Sequence, residues 1–125
     1  MEFDRRHKGD GVRATAVHPG RIRTELVRHM TPEELQALVD RINARRPEGA
    51  PPLGWKTVPQ GAATSVWAGV VAAADLVGGR YCEDCHVAEP MTDPEGLEGV
   101  RSYALDPDHA KALWAKSEEM VGERF

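Results

Sequence analysis

The pattern of apolar and polar positions divides the chain into a few clear elements. Residues 12–17, Val-Arg-Ala-Thr-Ala-Val, alternate apolar and polar, which predicts a short strand. Gly11 precedes it, and Pro19-Gly20 ends it, because proline has no N–H to carry a central ladder onward. Leu35, Leu38, Val39 and Ile42 then fall on one helical stripe. Thr31-Pro32-Glu33-Glu34 opens that helix with a capping box and a proline in its first turn, and the helix should fade near Arg45. Residues 47–54, Pro-Glu-Gly-Ala-Pro-Pro-Leu-Gly, read as loop or hinge.

A second box, Thr57-Val58-Pro59-Gln60, starts a broader apolar helix carrying Ala62, Ala63, Val66, Trp67, Val70, Val71 and Ala74. So wide an apolar surface predicts burial on more than one side and an end before Gly78-Gly79. A second strand follows around Arg80-Tyr81-Cys82, and a strand–crossover–strand unit of this kind is parallel. Residues 83–105 read as acidic surface connection. Asp106 caps a last helix whose face carries Ala110, Leu113, Trp114, Ser117 and Val121, with Gly122 after it. Trp67 and Trp114 are expected in the core. The whole is an α/β piece of two parallel strands and about three helices.

Composition narrows the classes. In 125 residues there is room for one domain. A formal net charge of −4 argues against a polybasic nucleic-acid binder. The charge is uneven, with residues 1–46 at +3 and 47–125 at −7. Solvated faces of opposite sign explain this, and a phosphate meeting the basic half is the sharper alternative. No run approaches the roughly 20 apolar residues that cross a bilayer. With no apolar run after the first charges either, the expectation is a cytoplasmic chain whose two cysteines are thiols.

The segment Gly11-Val-Arg-Ala-Thr-Ala-Val-His-Pro-Gly-Arg-Ile-Arg-Thr24 resembles the sixth strand and following turn of the short-chain dehydrogenase/reductases, where a strand ends in Pro-Gly and then x-[Ile/Val]-x-Thr. Thr57-Val-Pro-Gln-Gly-Ala-Ala-Thr resembles that family's next major helix, and Gly78-Gly-Arg-Tyr-Cys-Glu-Asp-Cys85 its seventh strand. The likeness is greatest to the retinol-dehydrogenase-like branch. It implies the C-terminal fragment of a doubly wound, Rossmann-type parallel sheet, with residues 25–55 as a substrate lid. It also implies NAD or NADP as cofactor. Pro19 and Gly20 would turn the backbone beneath the nicotinamide, the Ile22 main chain would meet the carboxamide, and the Thr24 hydroxyl would serve the carboxamide or the pyrophosphate. Gly20 suits a ring close to the backbone, and a hydroxyl can both donate and accept.

The family's other motifs are missing from these residues. None of the twelve glycines forms a nucleotide-binding fingerprint, and no Asn-Asn-Ala-Gly is present. The Tyr-x-x-x-Lys pair is absent as well: Tyr81 is followed four residues on by Cys85, and Tyr103 by Pro107. No catalytic residue is therefore assigned, and the expectation is a chain without turnover or cofactor binding by itself. The different-class alternative is a noncatalytic module that pairs with its own copy or a full-length relative. Cys82-Glu-Asp-Cys85-His86 also matches a haem-attachment pattern and, with His18 or His109, a zinc set; two reduced thiols at a strand end are the plainer reading. His18 is either a ligand or base, or simply packed at a strand end. Arg21 and Arg23 are either near a cofactor phosphate or solvated.

Overall fold

The computed structural model describes residues 1–46, 48–52, 54–92, 96 and 98–125. Parts of the expected 47–54 loop and 83–105 connection, at residues 47, 53, 93–95 and 97, lie outside the described residues. The described residues hold five α-helices and three strands: α1 (Glu2–His7), β1 (Ala16–His18), α2 (Pro32–Asn43), α3 (Val58–Val66), α4 (Ala74–Val77), β2 (Tyr81–Glu83), β3 (His86–Val87) and α5 (Pro107–Val121).

β1 and β2 run parallel, with Ala16 opposite Tyr81, Val17 opposite Cys82 and His18 opposite Glu83. The sheet is larger than expected and mixed. β3 returns antiparallel to β2, with Cys82 opposite Val87 and Glu83 opposite His86, giving the order β1-β2-β3. The two residues between them, Asp84 and Cys85, have φ of 44° and 59°. Two consecutive left-handed residues match the twist that a two-residue hairpin needs. The 83–105 stretch is thus more than surface connection: Glu83, Ala88 and Val100 are buried, and a further bridge joins Pro90 to Val100.

The core lies between sheet and helices. Cys82 is fully buried, packed with Ala68 and Val77, and Val17, Trp67, Ala72 and Val87 close around them. β1 is shorter than the 12–17 alternation predicts. Its inward side carries Val17 and Thr15, whose hydroxyl meets the Cys82 sulfur at 3.4 Å, whereas Ala16 on the opposite face is exposed.

The capping signals hold in detail. Thr31 accepts from the Glu34 amide at 3.2 Å while Glu34 accepts from the Thr31 amide at 2.7 Å, and Thr57 and Gln60 repeat the exchange. Asp106 accepts from the Asp108 and His109 amides, and α5 ends at a left-handed Gly122. The second helix departs from expectation. It is α-helical to Val66, then widens into a π-helical turn over Trp67–Val71, where the Ala72 amide bonds the Trp67 carbonyl at 2.8 Å. Extended backbone at Ala72 and Ala73 separates it from α4. Its expected burial on several sides is not met: Val58, Val66, Val70 and Val71 are exposed, because the described residues supply packing on one side only. Trp114 is half-buried and Leu113 and Val121 exposed, for the same reason.

Helix α1 has no counterpart in the expected pattern. Its carboxylates are buried and paired internally. Glu2 accepts from Arg5 and Arg6, and Asp4 accepts from Arg13 Nε at 2.9 Å and the Ala14 amide at 3.0 Å. Arg6 also lies 4.6 Å from the Trp114 ring centre, tying α1 to α5. Part of the basic N-terminal half is therefore ion-paired within the fold, with Arg5 and Arg6 still at the surface and Arg13 half-buried.

Candidate functional site

The parallel pair brings the C-terminal ends of β1 and β2 side by side. In open α/β sheets this is the edge where ligands gather. His18 and Glu83 finish the strands; the chain then bends at Pro19-Gly20 on one side and at Asp84-Cys85 on the other. Gly20 has φ of +86°, a left-handed value that a side-chain-bearing residue adopts only at a cost.

The structure places the four sequence-derived residues along one bend. Pro19 is exposed. Ile22 is half-buried and forms a parallel bridge with Lys56, just before α3. The bond of that bridge runs through a neighbour, from the Lys56 amide to the Arg21 carbonyl at 2.8 Å. In a parallel bridge the central residue's own peptide groups face away from the partner, so those of Ile22 point away from Lys56. The Ile22 side chain presses on Gly61: a Cβ there would lie 2.3 Å from Ile22 Cγ1. Thr24 is exposed at the start of a 3₁₀ turn, Glu25–Val27, and its hydroxyl oxygen accepts from the Leu26 amide at 3.3 Å. The hydroxyl proton is left to donate. Thr24 also edges a cavity of about 320 Å³ shared with Arg23, Arg28 and Leu35.

Sequence reasoning missed Lys56 and Asp84. The space beside Gly20, expected to admit a ring, holds the Lys56 stem: a Cβ on Gly20 would lie 2.7 Å from Lys56 Cε. The ammonium pairs with Asp84. That bond, opposed next by burial and helped by the nearby charges of Lys56, His86 and His18, holds the Asp84 carboxyl below the usual aspartate range. The one legible hint was the position of Lys56 immediately before the Thr57 capping box. Beyond Asp84 opens a cleft of about 430 Å³, lined among others by Arg45, Arg46, Glu83, His86 and Met91. His18 is exposed, its ring 6.5 Å from that of Tyr81.

The two cysteines do not share a surface. Cys82 points into the core, and Cys85 is exposed with its sulfur 4.0 Å from the buried Thr64 hydroxyl. Haem attachment through both sulfurs would require Cys82 to leave the core. Among the described residues no three His, Cys, Asp or Glu side chains converge as metal ligands. A thiol reagent should label Cys85 quickly in the native chain and Cys82 only on unfolding. Mass spectrometry of the labelled chain checks this, and rapid double labelling under native conditions would contradict the packing.

Over 114 residues, 88% of this chain, it is 39% identical to a "Probable oxidoreductase" of Streptomyces lividans. It is 34% identical over 123 residues to the "Short-chain dehydrogenase/reductase prx1" of Penicillium roqueforti, and 29% identical over 122 residues to the human "Retinol dehydrogenase 11". By sequence, this chain is homologous to the short-chain dehydrogenase/reductases. It spans about a third of the length of these curated relatives, covering 37%, 34% and 32% of them respectively. No protein-family profile matches the chain, and no solved structure matches it. Among the described residues no helix is long and apolar enough to cross a membrane.

Proposed function

We propose that these residues form the C-terminal part of an NAD(P)-dependent short-chain oxidoreductase acting on an alcohol or carbonyl substrate. The bend Pro19–Thr24 is its nicotinamide side, and residues 25–55 are the lid over the substrate. The observation that carries this reading is the bend itself. It leaves the C-terminal end of a parallel strand through a left-handed Gly20, in a chain whose homologues are oxidoreductases. The donor set suits a carboxamide, which both donates and accepts: Ile22 turns its peptide groups away from Lys56, and Thr24 keeps a hydroxyl proton to donate.

The bound nucleotide would supply or accept the hydride. The present residues would orient its ring, and neither tyrosine is suited to protonate an alkoxide. Neither tyrosine has a lysine four residues on, and burial, with Glu83 nearby, pushes the Tyr81 phenol up, the wrong direction for an acid working near neutral pH. The chain by itself should not consume NADH or NADPH with a panel of aldehydes and ketones. Grafted in place of the matching segment of the Streptomyces lividans relative, it should support NAD(P)-dependent turnover, and Gly20→Val in the graft should raise the cofactor KM. A folded but inactive graft counts against the reading. Turnover by the chain alone would show that it carries its own proton donor.

The edge of β1, unpaired among the described residues, and the exposed Val66, Val70 and Val71 favour a second reading, a module that associates with its own copy or a longer relative. A clean monomer on a sizing column counts against it.

A further inference from the structure

Three segments meet on one side chain. Lys56 stands where the chain returns from residues 23–55, and its amide bonds Arg21 at 2.8 Å, so the excursion leaves and re-enters through adjacent backbone. Its stem lies against Gly20, where a Cβ would meet it at 2.7 Å and have to push it aside. Its ammonium reaches Asp84 in the β2–β3 turn. That turn is itself fixed to α3, because the Cys85 amide donates to the buried Thr64 hydroxyl at 3.3 Å.

An exposed ion pair contributes little as a rule. This one differs in what it spans. The Lys56 side chain is 28% exposed, and it lies between a left-handed backbone bend and a left-handed turn. We propose that Lys56 is a positioning residue: strapped to Asp84, it fixes the Gly20 bend against the β2–β3 turn and closes the neck of the 25–55 segment. The functional meaning of the strap rests on the reading of the bend as a cofactor site; its existence does not. The charged groups around Asp84 are Lys56, His86 and His18. Acid that protonates Asp84 should release the strap, at a pH below the usual aspartate range because Lys56 lowers its pKa.

The test is amide hydrogen exchange on the 125-residue chain with no nucleotide present, followed at the Lys56 N–H. Lys56→Met keeps the stem and removes the charge. Asp84→Asn keeps a residue that tolerates positive φ. Each should speed exchange about threefold, the size of a modest ion pair, and the double variant should be no faster than either single one. Lys56→Arg should restore most of the protection, and the amides of α5 should not respond. Unchanged exchange in both single variants, or effects that add in the double, would overturn the strap. A failed graft in the activity experiment would leave these rates untouched, so the two ideas fail separately.

Discussion

Gly61→Ala should destabilise the chain, against the usual sign for such a change in a helix. Glycine in a helix interior is about 1 kcal/mol worse than alanine. Here the added methyl would lie 2.3 Å from Ile22 Cγ1 and 2.7 Å from its Cδ1. Either α3 moves off the bend or Ile22 leaves its place, and overpacking of this kind costs roughly 1–3 kcal/mol. Urea unfolding of four chains decides it: the parent, Gly61→Ala, Ile22→Ala and the double variant. With Ile22 shortened, the same Gly61→Ala change should become neutral or stabilising. A stabilised single variant would mean that α3 does not rest on the bend. In a nucleotide-binding graft, Gly61→Ala should also weaken cofactor binding, since Ile22 carries the peptide groups proposed to meet the carboxamide.

Removing the Asp4 carboxylate should be the most damaging single polar change. Asp4 is buried and holds Arg13 through Nε and Nη2, at 2.9 and 3.2 Å, as well as the Ala14 amide. It thereby joins α1 to the backbone that leads into β1. Asp4→Ala removes two charge-assisted hydrogen bonds and the acceptor of the Ala14 amide, while Arg13 keeps Asp75 at 2.6 Å, and about 2 kcal/mol is the expected loss. The same cluster sets an acid limit. The Arg5 guanidinium, helped by Arg6, holds the Glu2 carboxyl down to about 2 from an ordinary 4.5, and Arg13 lowers Asp4 in the same way. Their contribution is therefore complete above the ordinary carboxylate range and is lost as pH falls toward the lowered values. The urea midpoint of the parent should drop between about pH 4.5 and 2, and Asp4→Asn should flatten part of that slope. An identical slope in the variant would show that Asp4 carries none of it.

Local chemistry explains which parts of this structure were legible in the sequence. Thr31, Thr57 and Asp106 satisfy amides within three residues of themselves, so the starts of their helices could be placed to the residue. The parallel pairing followed from the order of the elements. What escaped depends on partners far along the chain. α1 is short and stands because Asp4 meets Arg13, and Arg6 meets Trp114. β1 loses its first half because the Val12 amide bonds the His7 carbonyl and the Ala14 amide bonds Asp4 instead of entering a ladder. β3 is two residues long, too short for any periodicity. The apolar run through Val71 looked like one helix because the change from α to π spacing at Trp67 alters no composition. At the site, Pro19, Gly20, Ile22 and Thr24 were found through a family likeness, while Lys56 and Asp84, 28 residues apart, are joined only by the fold.

The closed neck at Ile22 and Lys56 has an evolutionary corollary. A segment whose two ends are already held together can be lengthened, shortened or exchanged at an entropic cost that grows only with the logarithm of its length. The stretch from 23 to 55 is therefore a natural cassette. Relatives can differ in it wholesale without disturbing the strands on either side of the joint.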